Sequence, residues 1–276
     1  MNYKVNLLSS LILFCYLIPG EISAQECPAM PQLPVASDQD LLFHNSWQGV
    51  ADPYMARYTV GPGEEASYGS GYLKVINVDQ YYYDWVRHVA LPLWSQANDS
   101  SFIGWIHHGR VYIENETVPY AVTGAGLVET DYESSSFIVY ETTVDGWLKI
   151  RLKPGEDGEV WTHQCHLELS DVKLEFTGWE SFLREHGDWM HFRSQVPHNL
   201  REQPDVSSQR VTVIGLDHKL ELLEIRGDWM RVIVEQPDTT CGELALREMG
   251  GITHQGWVKW RDDEMGPWVW VYTRGC

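Results

Sequence analysis

Residues 227–234 have the sequence Gly-Asp-Trp-Met-Arg-Val-Ile-Val, and this stretch decides the predicted fold. Its apolar residues alternate with a period of two, which is typical of a β-strand with one face on a core. Met230 and Val232 are therefore predicted to face the core, and Trp229 is predicted to face outward. The alternative is that Trp229 packs under a neighbouring loop or module, because large aromatic side chains are often mostly buried.

The same local pattern recurs along the chain. An Asp-Trp or Gly-Trp step followed by apolar residues also occurs at 84–87, 145–150 and 187–192. A closing triplet of glycine, a second residue and Val or Ile occurs at 104–106, 158–160 and 256–258. Three pairs of opening and closing patterns predict three small barrels, and the stretch at 187–192 is assigned to a joint between modules.

Three segments of the chain carry a resemblance to a known family. Leu-Arg-Glu-Gln-Pro at 200–204, the stretch from Gly227 to Val232 and Gly-Trp-Val at 256–258 together resemble the bacterial SH3-like domain, SH3b. The resemblance implies an all-β fold of tandem small SH3-like β-barrels with one short linking helix. It also implies binding to peptidoglycan peptides or to proteins, and the tryptophan at the position of Trp229 forms one wall of a peptide groove in ligand-binding relatives.

The predicted organisation begins with an export signal. Lys4, the apolar run 7–18 and the small residues at 22–24 predict a signal peptide over 1–24, whose apolar run is too short to span a bilayer. The remaining segments are a Pro-rich leader at 25–40, a first SH3b-like module at 41–113, a second at 118–176, a helical joint at 177–196, and a third module with a C-terminal strand extension at 197–276.

The joint is predicted to contain a short helix. Thr177 and Glu180 have the spacing of a capping box, and Trp179, Phe182 and Leu183 follow at helical spacing. A helix of about 8 residues is unstable alone. It is therefore expected to dock on a barrel through Trp179 and Phe182.

The Pro-rich leader has a regular spacing of its own. Pro28, Pro31 and Pro34 recur every third residue and would stack along one edge of a polyproline II helix. Aromatic-lined grooves take such edges, so the leader could occupy a groove of its own chain, tethered by Cys27. The alternative is a simple spacer after the signal peptide.

The cysteines support export. Removal of the signal peptide leaves Cys27, Cys165, Cys241 and Cys276, and an even number in an exported chain predicts two disulfides. Cys241 and Cys276 belong to the third module and its tail, so that pair is favoured, which leaves Cys27 with Cys165. The expected location is periplasmic or extracellular.

The charge restricts the partners. The formal net charge is −19, which repels nucleic acid and anionic lipid headgroups because their binding needs Lys and Arg to neutralise phosphates. No apolar run long enough for stable membrane insertion is present. Acidity can serve solubility alone or steer a basic partner.

Aromatic residues are the candidate ligand-binding groups. The chain contains 13 Trp and 14 Tyr, and rigid aromatic surface is what peptide and sugar grooves use. The alternative is that most of these side chains fill the thin cores of small barrels. Trp268 and Trp270 are predicted to form either an open aromatic strip or a lid on the barrel end. The candidates are Trp85, Trp147, Trp229, Trp268, Trp270 and the three consecutive tyrosines Tyr81, Tyr82 and Tyr83.

The sequence offers little for catalysis. No nucleophile motif, zinc-protease motif or phosphate loop is present, and Cys165 lies in a predicted strand. A metal site would need His163, Cys165 and His166 to meet His107 and His108, and surface histidines on adjacent strands are the favoured alternative. No cofactor, no metal and no enzymatic activity are therefore expected.

The predicted function is non-catalytic binding of peptidoglycan or of a peptide-like ligand by an exported protein. An inhibitor or scaffold partner of an envelope enzyme is the alternative, and it fits the acidity better. A metal-dependent hydrolase is the third possibility. The oligomeric state is left open.

Overall fold

The computed structural model describes residues 27–33, 67–77, 85–107, 109–114, 120–121, 126–131, 134–152, 158–188, 190–193, 196–215, 218–235, 252–263 and 265–271. The predicted signal peptide, the tyrosines at 81–83 and the cysteines Cys241 and Cys276 lie outside the described residues. The whole of the segment 237–251, the predicted insertion in the third module, lies outside them as well.

The described residues form two large β-sheets, one small hairpin and one α-helix, which confirms the all-β prediction. The first sheet contains β1 (Gly71–Val75), β2 (Ala90–Trp94), β3 (Phe102–His107), β4 (Arg110–Ile113), β5 (Tyr120–Ala121), β6 (Leu127–Asp131), β7 (Ser134–Thr142), β8 (Trp147–Arg151), β9 (Glu159–His163) and β10 (Leu174–Gly178). The second contains β11 (Met190–Phe192), β12 (His198–Arg201), β13 (Arg210–Ile214), β14 (Leu220–Arg226), β15 (Trp229–Glu235), β16 (Ile252–Lys259) and β19 (Val269–Val271).

The small hairpin pairs β17 (Arg261–Asp262) with β18 (Gly266–Pro267), and the helix α1 is Trp179–His186. Short 3-10 helices lie at Trp85–Arg87, Asp99–Ser101 and Gln164–His166. The described residues contain no helix long and apolar enough to cross a membrane.

The first sheet joins the two modules predicted at 41–113 and 118–176. Its strand order is β10-β1-β7-β8-β9-β2-β3-β4-β5, with β6 paired to β7. The strand β1 of the first predicted module lies between β10 and β7 of the second, and β2 pairs with β9. The described strands of these modules therefore form one continuous sheet rather than two separate barrels, because distant strands pair across the predicted boundary.

The second sheet corresponds to the third predicted module with one addition. Its order is β13-β12-β16-β15-β14-β11-β19. The strand β11 comes from the predicted joint and lies between β14 and β19. The sheets curl into half-barrels.

The Gly-Asp-Trp stretch begins with a tight turn. Arg226 pairs directly with Trp229, so Gly227 and Asp228 form a two-residue hairpin loop between β14 and β15. Gly227 has a φ of +55°. Two-residue hairpins require positive φ at the first loop position, which glycine adopts without strain. The glycine therefore determines where β15 begins.

The helix α1 begins one residue later than the sequence predicts. Its N-cap is Gly178, which makes no side-chain capping bond. The predicted capping box at Thr177 is wrong, because Thr177 lies in the strand β10, where its backbone is extended and pairs with Tyr72 of β1. The predicted packing is confirmed, since Trp179, Phe182 and Leu183 are buried.

Two cores lie on opposite faces of the first sheet. Alternation along β7 places Phe137 and Val139 in a core within the first sheet, and it places Ile138 in a second core. This second core also contains Trp179 of α1 and Met230 of the second sheet. The helix therefore packs between the two sheets, which positions the segments around β11 and β19.

Candidate ligand-binding cleft

A cleft of about 940 Å³ lies on the second sheet, within the size range of small-ligand pockets. Strands β15, β16 and β12 and the segments beside β11, β17 and β19 contribute its walls. The side chains that matter for its chemistry are Trp229, Lys259, His198, Arg193, Asp262 and Trp268.

Trp229 has the orientation that alternation predicts. Met230 and Val232 are fully buried, whereas Trp229 is half-buried and lines the cleft. Lys259 of β16 pairs directly with Trp229 across the sheet. Directly paired residues of an antiparallel sheet project to the same face with Cβ atoms about 5 Å apart. An aromatic ring and a cation therefore stand side by side in the cleft.

The two tryptophans of the C-terminal stretch have different surroundings. Trp268 lines the cleft, with its ring centroid 5.2 Å from that of His198. Trp270 contacts Trp179 and Phe182 of α1, each with ring centroids 5.1 Å apart. Trp270 therefore packs against the helix, and Trp268 presents its ring to the cleft.

His198 forms a neutral part of the wall. Its ring stacks on Phe192 with a centroid separation of 3.9 Å and an interplanar angle of 5°. Burial lowers the pKa of His198 to about 4, because desolvation disfavours the charged imidazole. At neutral pH this ring therefore behaves as one flat, uncharged layer of the wall. Its Nε2 atom is buried and makes no hydrogen bond within the described residues.

Arg193 is anchored at the edge of the cleft. Its guanidinium carbon lies 3.5 Å from the ring centroid of Tyr68, and its Nη1 donates a 2.9 Å hydrogen bond to the carbonyl of Pro267. Burial lowers the pKa of Arg193, and the neighbouring charges of Tyr68 and Asp262 oppose that shift. These contacts hold the guanidinium in place and link the second sheet to the first.

The other predicted ligand-binding tryptophans are core residues. Trp85 is 2% exposed and Trp147 is 3% exposed. The indole Nε1 of Trp85 donates to the carbonyl of Ser135 at 2.7 Å, and the ring of Trp147 packs edge-on against Trp94. Rings with so little accessible surface have almost nothing to offer a ligand. The repeated local pattern did not distinguish these buried rings from Trp229, and Tyr81, Tyr82 and Tyr83 are not described.

The sulfur of Cys165 is not a free thiol. Cys165 forms a disulfide with Cys27, with a Cα–Cα distance of 5.9 Å, as the elimination argument predicts. Cys165 lies in the 3-10 turn Gln164–His166 after β9 rather than in a predicted strand. The described residues contain no group of three or more His, Cys, Asp and Glu placed to hold a metal.

The histidines beside Cys165 are buried, so the expectation of surface histidines is wrong. His163 is 1% exposed and His166 is 4% exposed. His163 uses both ring nitrogens locally: Nε2 bonds the carbonyl of Asp145 at 2.7 Å, and Nδ1 accepts from the Cys165 amide at 3.2 Å. These bonds orient the turn that carries the disulfide.

The leader lies against the first sheet. Pro28 is buried, and the indole Nε1 of Trp105 donates to the carbonyl of Gln32 at 3.1 Å. The described leader residues, 27–33, therefore dock on their own chain, tethered by Cys27. Their contacts are with the first sheet, and none of them lines the cleft at Trp229.

Of the six cleft side chains named above, sequence reasoning missed four: Lys259, His198, Arg193 and Asp262. Lys259 lies two residues beyond the Gly-Trp-Val triplet, and the pairing of β15 with β16 would have placed it beside Trp229. The long segment between Glu235 and Ile252 conceals that register, because only a tight turn determines register from sequence.

The sequence matches no protein-family model and no curated protein.

Proposed function

We propose that the protein is a non-catalytic binding protein that holds a peptide-like ligand, such as a peptidoglycan peptide, in the cleft between Trp229 and Trp268. The SH3b resemblance remains part of this proposal for the segment 197–276. The observation that carries it is the meeting of two outward aromatic rings in one cleft on the second sheet.

The wall chemistry supports peptide or sugar binding. Trp229, Trp268 and the neutral ring of His198, which stacks on the buried Phe192, provide flat surface that binds extended ligands at low entropic cost. A few charged groups at the rim can orient a polar backbone. Pockets of this composition, mainly apolar with few polar groups, are typical of binding sites.

The cysteine chemistry supports binding without turnover. A sulfur in a disulfide provides no thiolate, and the thiolate is the form that attacks a carbonyl. The same disulfide supports an exported location, because disulfides persist in oxidising compartments.

Sedimentation with purified peptidoglycan tests the proposal. We expect the wild-type protein to sediment with peptidoglycan, and Trp229→Ala to remain in the supernatant. Trp161→Ala is the matched control, because it removes a half-buried indole from β9 on the first sheet, away from the cleft. Equal sedimentation of wild type and Trp229→Ala would exclude the cleft as the binding site.

A protein partner is the second candidate function. The net charge of −19 favours a basic surface on an envelope enzyme or scaffold. An affinity pull-down from envelope extract, run beside the sedimentation assay, separates the two. Retention of one protein that dissociates at high salt, without peptidoglycan binding, would favour the protein partner.

A further inference from the structure

The charges of the cleft differ from those of the whole chain. The protein carries a net charge of −19, yet three basic side chains and one acidic side chain line the cleft. The basic residues are Arg193, Arg201 and Lys259, and the acidic residue is Asp262. The cleft therefore has a local charge opposite in sign to that of the whole protein, which favours an anionic group on the ligand.

Two of the three cations are engaged within the protein. Arg193 donates to the carbonyl of Pro267 and lies over the ring of Tyr68. The Nη1 atom of Arg201 donates a 2.6 Å hydrogen bond to the carbonyl of Ser208. Both guanidinium groups therefore have structural roles in the walls of the cleft.

The single acid of the cleft is engaged as well. The carboxylate of Asp262 accepts a 2.6 Å hydrogen bond from the backbone N–H of Met265, within the turn of the β17–β18 hairpin. Its charge also acts on Arg193. Asp262 therefore stabilises the hairpin and the arginine beside it.

Lys259 is the remaining charge. Its Nζ atom lies 5.8 Å from the ring centroid of Trp268, and no carboxylate of the described residues is within ion-pair distance of it. Trp229 pairs with Lys259 directly across the sheet. The ammonium group therefore lies near the ring of Trp268, on the face of the sheet that carries Trp229, and among the described residues it has no ion-pair partner.

We infer that the cleft recognises the C-terminal carboxylate of a peptide, with Lys259 binding the carboxylate and the two tryptophans holding the side chain of the terminal residue. This inference rests on the proposed peptide-binding role. The ammonium group of Lys259 lies 5.8 Å from the ring centroid of Trp268, and the Cβ atoms of the paired residues Trp229 and Lys259 are about 5 Å apart, so the ligand must place a carboxylate and an apolar group close together. A terminal residue does this, because its carboxylate and side chain share one Cα atom.

An internal Glu or Asp fits less well. In an extended peptide, successive side chains point to opposite faces. The carboxylate of an internal acidic residue and the apolar side chain of its neighbour therefore lie on opposite faces of the peptide. When the carboxylate contacts Lys259, that apolar side chain points away from the indole rings.

Binding of peptide pools tests the inference. The probes are immobilised, N-acetylated random hexapeptides in three pools: one with a free C-terminal carboxylate, one amidated, and one amidated with glutamate at a central position. The proteins are wild type, Lys259→Met, Lys259→Arg and Lys149→Met. Lys149 is the matched control, because it also lies over an indole, with Nζ 4.8 Å from the centroid of Trp161, but on the first sheet.

Wild type, Lys259→Arg and Lys149→Met are expected to retain the free-acid pool about tenfold better than the amidated pool, as for one charged hydrogen bond in a partly hydrated site. In Lys259→Met this preference should fall below about twofold. Circular dichroism checks that each variant is folded.

Equal retention of the acid and amidated pools would overturn the inference and leave the peptide-binding role intact. A preference that persists in Lys259→Met would overturn the assignment to Lys259. Retention of the glutamate pool at the level of the acid pool would identify a side-chain carboxylate as the source. Absence of binding to every pool would overturn both the inference and the proposed function.

Discussion

Alanine substitutions at two adjacent residues of β15 should separate folding from binding. Met230 is fully buried and pairs with Ile225 and Val258 in the core between the second sheet and α1. Met230→Ala removes the thioether and its two flanking carbons, each equivalent to about 0.8 kcal/mol of burial. The residual cavity adds to this, so the free energy of unfolding should fall by about 3–4 kcal/mol.

Trp229→Ala should have a smaller effect on stability. Part of the ring faces the cleft, so its removal leaves less buried space and should lower the free energy of unfolding by about 1 kcal/mol. Ligand affinity should instead fall by about tenfold or more, as for an aromatic residue at the centre of a binding site.

Thermal unfolding and affinity, measured for both variants, check this prediction. For a chain of this size about 1 kcal/mol corresponds to roughly 2–4 °C, so the midpoint should fall by about 10 °C for Met230→Ala and by about 3 °C for Trp229→Ala. Equal destabilisation by the two variants would show that Trp229 is a packing residue. A small effect of Met230→Ala would show that the strand faces are assigned incorrectly.

Three further outcomes are expected. Peptide mapping without reduction should recover Cys27 and Cys165 in one linked fragment that reduction separates, and free thiols at these positions would contradict the pairing. Zymography on cell wall should show no clearing zone, and a zone lost in Cys165→Ala or His163→Ala would establish an enzyme. The free energy of unfolding should fall as the pH decreases from about 6.5 to about 4, because His198 has a folded pKa of about 4 and the unfolded chain binds more protons in that window. Solvent screening keeps this contribution below about 3 kcal/mol. Denaturation midpoints measured across this pH range should depend less on pH in His198→Phe than in the wild type.

Several features of the fold follow from the sequence because they depend on local periodicity. The alternation from Trp229 to Val234 predicts both the strand and its inward face, and burial of Met230 and Val232 agrees with it. The spacing of Trp179 and Phe182 predicts the buried face of the helix. Periods of two and of about four residues are properties of a single chain segment, so they can be recognised without its partners.

The local opening pattern was insufficient to predict the modules. At 227–229 it forms a two-residue hairpin turn, whereas at 187–189 the glycine follows the last turn of α1, and Trp85 begins a 3-10 helix. The same residue types adopt different structures because the segments on either side pair with different strands. A repeat count from local patterns therefore overestimates the number of independent barrels.

The sequence by itself determined that the chain is rich in β-strands, that Trp229 faces away from the core, and that four cysteines remain after the predicted signal peptide. Only the tertiary structure decided that β1 lies between β7 and β10, that Trp85 and Trp147 are buried, and that Lys259 stands beside Trp229. The physical reason is that backbone hydrogen bonds are the same for almost every residue type, so strand pairing and register depend on packing between distant segments.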